Sequence, residues 1–170
     1  MPVAATLLLR PATPADADAV AALLAASYPP LLAPFYPAAT LKAALPGITR
    51  ANPALLACGT WYVAQAAGAV LVGCGGWTLA PPGRRRAWRL DEAHARQFAT
   101  HPEWVRRGVA SALLRRSLAV ARACGVRRMW AQASLAAVGF YAAHGFAAVR
   151  PACLRVGPAR FETPLMMRVL

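Results

Sequence analysis

Acidic side chains are scarce in this chain of 170 residues, which carries 6 aspartates and glutamates against 19 lysines and arginines. Lysine is almost absent too, because Lys42 is the single lysine and all other basic residues are arginines. The formal net charge of +13 favours polyanions, acidic substrates or phosphorylated cofactors as partners. A compositional bias toward arginine explains the same charge without a function, so the sequence leaves both interpretations open.

Long apolar runs are missing as well. No stretch approaches the roughly 18–20 apolar residues that cross a bilayer, although hydrophobic residues make up 58% of the chain. The N-terminal stretch has no basic start and reaches Arg10 too early for a secretory signal. We therefore expect a cytoplasmic protein without membrane contact. The 4 cysteines and 3 histidines lack CxxC and HxxxH spacing, so we expect reduced, buried cysteines and no metal site.

The hydrophobic patterns predict one domain over residues 1–170, without repeats or a linker. Strands are predicted over residues 6–10, 61–65, 69–79, 94–100, 127–134, 146–149 and 164–170. Helices are predicted from Thr13-Pro14 to about Tyr28, and over residues 38–46, 53–57, 109–124 and 135–145. We expect Pro29 and Pro30 to break the chain after the first helix. Strand and helix alternate in the second half, which predicts an α/β fold with a partly parallel sheet.

The stretch EWVRRGVASALLRR places a glycine, Gly108, directly before the clearest helix pattern of the chain. A helix N-terminus offers unpaired N–H groups and about half a positive charge, which together suit a phosphate group. Gly108 lets the backbone approach a ligand closely. Its neighbours are small or basic: Arg106, Arg107, Ala110 and Ser111. Taken alone, the segment is equally typical of an exposed basic helix start.

Two motifs in sequence order resemble those of the GCN5-related N-acetyltransferase (GNAT) superfamily. Residues 105–110, VRRGVA, are similar to its Q/R-x-x-G-x-G/A motif, with Val105 at the place of the leading Gln or Arg. Residues 134–146, SLAAVGFYAAHGF, are similar to N-x-x-A-x-x-F-Y-x-x-x-G-F, with Ser134 at the place of the Asn. The N-terminal segment LRPATPADADAVAALL also resembles the start of the family. The resemblance implies a mixed, partly parallel sheet of about six to seven strands flanked by about four helices.

The resemblance implies an enzyme that moves an acetyl group from acetyl-CoA to an amine by direct attack. It implies Tyr141 as the acid for the leaving sulfur, since a phenol with a pKa near 10 can donate a proton to a thiolate. Packing in the core is the alternative role for Tyr141. Some members carry a base at the position of His94, whose imidazole has an ordinary pKa near 6.5. A solvated histidine is the alternative there, and Asp91 and Glu92 are nearby candidates.

The resemblance also implies a cofactor site in which backbone N–H groups bind the diphosphate of acetyl-CoA. The residues that it assigns to this loop and helix start are Val105, Arg106, Arg107, Gly108, Val109, Ala110 and Ser111. In the family, the preceding strand pairs with the pantetheine arm as an added strand would. Counting back from Gly108 assigns that pairing to Phe98 and Thr100. Ser134 would replace the asparagine contact to the same arm.

The acceptor is left open by the sequence, and small amines, polyamines, antibiotics and protein amino groups are all candidates. Tyr28, Phe35 and Tyr36 are candidate pocket walls, and the arginines at 84–86 and 89 favour an acidic or carboxylate-bearing acceptor. Two other functions compete: a non-catalytic acyl-CoA sensor, and a basic nucleic-acid-binding module. The second is disfavoured because no aromatic RNA-binding signature or continuous basic helix stripe is present. Since members of the family often pair, a homodimer is a further alternative.

Overall fold

The computed structural model describes residues 7–82 and 89–170, in which it places nine strands and five α-helices. The strands are β1 (Leu8–Pro11), β2 (Trp61–Gln65), β3 (Leu71–Thr78), β4 (Glu92–Thr100), β5 (Arg128–Gln132), β6 (Ala147–Arg150), β7 (Cys153–Val156), β8 (Ala159–Glu162) and β9 (Leu165–Val169). The helices are α1 (Ala17–Leu32), α2 (Ala38–Ile48), α3 (Pro53–Ala57), α4 (Val109–Ala123) and α5 (Val138–Ala143). None of the helices in these ranges is long and apolar enough to span a membrane.

Seven strands form one sheet in the order β1-β2-β3-β4-β5-β9-β6, and β7 pairs with β8 in a separate hairpin. Within this sheet β4 and β5 run parallel, and the other neighbouring strands pair antiparallel. The parallel contact is short, since residues 92–94 of β4 pair with residues 128–130 of β5. Beyond His94 and Trp130 the described part of the chain shows no pairing between these strands, so a cleft opens between their C-terminal ends.

Helices cover both faces of the sheet, and the period of two in β2 shows how the sequence supports this. Trp61 and Val63 point into a core with α1 and α3, whereas Tyr62 and Ala64 point into a core with α4 and α5. Gly73 of β3 lets α4 approach closely, because a Cβ there would lie 2.4 Å from Cγ1 of Val109. This contact holds the N-terminus of α4 against the sheet.

The predicted mixed, partly parallel sheet is confirmed, but the predicted end of α1 near Tyr28 is wrong. The helix continues through Pro29 and Pro30 to Leu32. A proline inside a helix removes an N–H donor and is costly there. Here both prolines lie in the last turns, the N–H of Ala33 still donates to the carbonyl of Pro29 at 3.1 Å, and Leu32 is buried. Packing of the final turn therefore outweighs the lost bonds.

The β7–β8 hairpin is absent from the sequence predictions. Its strands are short and joined by a turn at Gly157, which has a φ of +55°, followed by Pro158. The hairpin is anchored by Phe161, whose ring centroid lies 4.3 Å from that of Tyr36. Its side chains pack into a core with α2 rather than with the main sheet, and no local sequence pattern specifies that packing.

The expectation of buried cysteines is wrong for three of the four. All four thiols are free, but Cys58, Cys124 and Cys153 are exposed. Cys74 on β3 is the buried one, and burial raises the pKa of its thiol to about 12.

Candidate active site

A cavity of about 610 Å³, here called the β4–β5 cavity, lies where β4 and β5 separate. Its volume falls within the roughly 300–1,000 Å³ that is typical of small-molecule sites. The α1 wall consists of Ser27, Tyr28, Leu31, Leu32 and Phe35. The loop wall consists of residues 98–100, 104–106 and 108–111, and the α5 wall of Ser134, Ala136, Ala137 and Phe140. The cavity thus brings together most of the residues assigned to the cofactor: Phe98, Thr100, Val105, Arg106, Gly108, Val109, Ala110, Ser111 and Ser134.

A bulge in β4 shapes the middle of the cavity. The register between β3 and β4 shifts between Cys74 and Gly76, and Gln97 has a φ of +48°. The ring of Phe98 occupies the space above Gly75, where a Cβ would lie 2.4 Å from Cδ1 of the ring. Bulges often occur beside active sites because they redirect a strand. The bulge directs Phe98 into the cavity at the point where β4 leaves β5.

The loop before α4 forms the other end of the loop wall. Both Arg106 and Gly108 have left-handed backbone, with φ of +61° and +81°. In the described structure the first N–H groups of α4, at Val109, Ala110 and Ser111, have no backbone acceptor, as expected for a helix start. A Cβ built at Gly108 would meet no described atom within 4 Å, so the space beside this residue is open.

The two arginines of the loop point to different surroundings. Arg106 lines the cavity. The guanidinium of Arg107 instead lies 5.2 Å from the ring centroid of Trp104, in a cation–π contact, and Arg107 is not part of the lining. Trp104 itself lines the cavity and was missed by the sequence analysis, although its position just before the motif was a usable signal.

Tyr36 does not line the β4–β5 cavity and instead connects three segments around it. Its hydroxyl accepts a hydrogen bond from the N–H of Leu135 and donates one to the carbonyl of Glu162, each at 2.8 Å. Leu135 follows Ser134 directly, so Tyr36 fixes the chain at the point where the α5 wall begins. Tyr36 is buried.

Tyr141 lies behind the cavity walls rather than in them. It is buried, and its ring contacts those of Phe98, Phe140 and Phe146 at centroid distances of 6.3, 5.2 and 5.1 Å. Phe98 and Phe140 line the cavity, so Tyr141 is one ring removed from it. Its hydroxyl has no hydrogen-bond partner among the described residues but is not one of their fully enclosed unpaired polar atoms, so it keeps some access from outside the core. Burial raises its pKa above the ordinary value.

Ser27 and Tyr28 of α1 contact β4 from the α1 side of the sheet, opposite the side on which α5 and Tyr141 pack. The hydroxyl of Tyr28 donates to the carbonyl of Phe98 at 3.4 Å, and that of Ser27 donates to the carbonyl of Thr100 at 2.8 Å. Burial is the main cause that raises the pKa of Tyr28 well above 10, and Cys74 and Tyr141 raise it further. Ser27 is not among the residues that the sequence predicts for the site, although it is a polar residue on the apolar stripe of α1.

The structure does not bring His94 into the lining of the cavity. His94 lies in the paired part of β4, opposite Trp130 of β5. Its pKa is lowered to about 4, first by burial and then by the nearby charge of Arg96. The other candidate bases form ion pairs instead: Asp91 with Arg89 and Glu92 with Arg128, each at an N–O distance of 3.0 Å.

Comparison with known proteins agrees with this geometry. Residues 20–146 match the family model of the acetyltransferase (GNAT) family. The chain belongs to this family. A crystal structure of a GCN5-related N-acetyltransferase from Rhodopseudomonas palustris shares 25% identity with this GNAT protein, covers 100% of it and 99% of that chain, and has a TM-score of 0.79. The GNAT fold and the acetyltransferase class implied by the two motifs are thereby confirmed.

Two more distant structures support the fold of this GNAT protein. The PaiA N-acetyltransferase of Thermoplasma acidophilum, solved with coenzyme A, has 14% identity and a TM-score of 0.73 over 97% of this chain and 99% of that one. The ribosomal-protein-S18-alanine N-acetyltransferase of Escherichia coli has 15% identity and a TM-score of 0.65 over 96% and 94%. A search of curated proteins finds no match.

Proposed function

We propose that this GNAT protein is a single N-acetyltransferase domain over residues 1–170, which transfers the acetyl group of acetyl-CoA to an amine by direct attack. The observation that carries the proposal is the continuity of the β4–β5 cavity. It runs from the open N–H groups at the start of α4, along the bulged end of β4, to the aromatic rings in front of Tyr141.

The start of α4 fits the diphosphate of acetyl-CoA. Free N–H groups and the helix dipole favour a bound anion, and the space in front of Gly108 is open. Arg106 adds a positive charge within the cavity, and Arg107 adds charge just outside it. Val105 and Ser111 line the same end, and each contributes a backbone N–H. The PaiA relative, which was solved with coenzyme A, supports coenzyme A as the kind of ligand that this fold binds.

The pantetheine arm would bind between β4 and the α5 wall. Phe98 and Thr100 line the cavity on β4, and Ser134 lines it at the start of the α5 wall. The hydroxyls of Tyr28 and Ser27 fix the orientation of these two peptide groups by bonding their carbonyls. Because the bulge takes Gln97 and Phe98 out of regular register, a backbone N–H there can polarise the thioester carbonyl.

Tyr141 would donate a hydrogen bond to the leaving sulfur. A thiol has an ordinary pKa near 8.5, and burial raises the pKa of Tyr141 above that of a free phenol. Tyr141 therefore keeps its proton and stabilises the developing thiolate by hydrogen bonding. After attack by a neutral amine, the nitrogen releases one proton to solvent and the CoA thiolate takes one up from solvent, so the reaction releases no net proton.

The proposal is tested by measuring acetyl-CoA affinity by calorimetry and release of free CoA thiol with a panel of amines. Gly108→Glu should weaken acetyl-CoA binding by at least roughly tenfold, because it places bulk and negative charge at the helix start. Gly125→Glu is the matched control, since Gly125 has a φ of +85° and open space at the other end of α4. Equal affinities for wild type and Gly108→Glu would contradict the cofactor site. Binding without turnover on any amine would favour a sensor.

A further inference from the structure

Every carboxylate side chain of this protein lies outside the β4–β5 cavity. The chain has 6 acidic residues, and the described structure contains all of them. Three of them form ion pairs: Asp16 with Arg10, Asp91 with Arg89, and Glu92 with Arg128. The other three are Asp18 in the first turn of α1, Glu103 before the loop, and Glu162 in β8. None of them belongs to the lining. The cavity therefore has no anionic side chain with which to bind a second ammonium group.

The α1 wall is apolar where it faces the rest of the cavity. Leu31, Leu32 and Phe35 lie on it, and Phe98 and Phe140 line the cavity from the other walls. Phe35 is 47% exposed and lines the cavity, so its ring is available for contact with a bound group. The polar groups of this wall, the hydroxyls of Ser27 and Tyr28, already donate to carbonyls of β4. This wall suits an apolar or aromatic group.

The described lining also offers no side chain that removes a proton at neutral pH. Its ionisable members are Tyr28 and Arg106. Arginine stays protonated in proteins, and the phenol of Tyr28 is both protonated and engaged with Phe98. An amine that arrives as ammonium therefore has no general base in this part of the chain. The reacting fraction is the uncharged one, which the pKa of the amine itself determines.

We propose, on the basis of the acetyl transfer proposed above, that the acceptor is a monoamine carried on an apolar or aromatic group and bound in its uncharged form. The net charge of +13 also favours a monoamine, because it repels polycationic amines. At pH 7 the uncharged fraction of an α-amino group, with a pKa of about 7.7–8.0, is a few hundred times that of a lysine side chain, with a pKa of about 10.4. An α-amino group beside an apolar side chain is thus a better acceptor than a lysine or a polyamine.

Binding of two conjugates tests the acceptor class independently of turnover. One links CoA through an acetyl spacer to the amino group of phenylalanine amide, and the other links it to spermidine. Calorimetry should show at least roughly tenfold tighter binding for the phenylalanine conjugate than for the spermidine conjugate. Equal or tighter binding of the spermidine conjugate would overturn the acceptor proposal alone. Failure of CoA itself to bind would overturn the proposed function and the acceptor proposal with it.

A negative charge introduced on the α1 wall should weaken the preference for the phenylalanine conjugate over the spermidine conjugate. Phe35→Glu should reduce the ratio of the two affinities by at least roughly tenfold, because it supplies a carboxylate for the second ammonium group. Phe35→Gln controls for the loss of the ring, and Leu8→Glu controls for an added charge at an exposed apolar position on the far edge strand. The same ratio in Phe35→Glu and Phe35→Gln would overturn the placement of the acceptor at this wall.

The pH profile tests the uncharged form. With phenylalanine amide and phenethylamine as acceptors, the rising limb of kcat/KM should shift with the pKa of the acceptor used. A midpoint that is the same for both would show that an enzyme group takes the proton, and would overturn this part of the proposal.

Discussion

Gly75→Ala is the substitution that should disturb the cavity most through a single methyl group. A Cβ at position 75 would lie between 2.4 and 2.7 Å from three atoms of the Phe98 ring. Gly75 also has a φ of +154°, a backbone conformation that side chains rarely adopt. The ring of Phe98 must therefore move, and it contacts Phe140 and Tyr141 as well as the cavity. The change therefore reaches the proposed positions of the pantetheine arm and of the leaving group together.

The cost follows from two separate effects. Forcing a methyl group into a packed site typically costs about 1–3 kcal/mol. Holding a non-glycine residue in a sparsely populated backbone region costs about 1–3 kcal/mol more. Gly75→Ala should therefore lower the free energy of unfolding by roughly 2–6 kcal/mol and weaken acetyl-CoA binding. Gly139→Ala is the matched control, because a Cβ there would meet no described atom within 4 Å and its φ is not left-handed.

A double-mutant cycle separates the two effects. Urea denaturation gives the free energy of unfolding for Gly75→Ala, Phe98→Ala and the double variant. If the ring collision is real, Gly75→Ala should cost at least about 1 kcal/mol less in the Phe98→Ala background, because contacting residues couple by about 0.5–3 kcal/mol. A cost that does not change between backgrounds would refute the collision, and an undamaged single variant would refute the bulge geometry itself.

Two further predictions concern Tyr141 and Asp16. Tyr141→Phe keeps the packed ring and should lower kcat on the order of 100-fold with little change in acetyl-CoA affinity; an unchanged kcat in the thiol-release assay would remove the hydroxyl from the mechanism. The hydrogen bond from Arg10 lowers the pKa of Asp16 to about 2. Since a carboxylate with a depressed pKa stabilises the fold above its ordinary pKa, about 2 kcal/mol should be present above pH ~4 and lost as pH falls toward 2. In Asp16→Asn, the free energy of unfolding measured by urea denaturation should change less with pH over this range than in wild type. Parallel pH curves for wild type and variant would contradict the ion pair.

The parts of the site that the sequence predicts correctly are those governed by local rules. Gly108 takes the left-handed conformation that glycine favours, and α4 begins at the next residue. The strands around Gly73 and Val63 follow from apolar runs of the expected length. These features depend on backbone conformation and short-range periodicity, which neighbouring residues determine.

The parts that the sequence does not predict depend on contacts between distant segments. The bulge requires Gly75 of β3 and Gln97 of β4 to meet, and neither residue shows it alone. Because a shift in register changes which side chains share a face, the counting that assigned a base to His94 could not anticipate that it lies before the bulge and outside the cavity. Tyr36 likewise is buried away from the cavity because its hydroxyl bonds Leu135 and Glu162, which are distant from it in the sequence.

The scarcity of carboxylates illustrates how folding changes the meaning of a composition. As a count, 6 acidic residues against 19 basic ones is explained equally well by codon bias and by an anionic partner. The fold uses three of these six carboxylates in ion pairs: Asp16 with Arg10, Asp91 with Arg89, and Glu92 with Arg128. What is left at the cavity is an apolar wall beside a basic loop, with Arg106 as the charged side chain of the described lining. A cation with two charges gains nothing from such a site, whereas an uncharged amine on an apolar group loses little water and gains contact with Phe35. The proposed acceptor class therefore rests on the placement of the carboxylates rather than on their number.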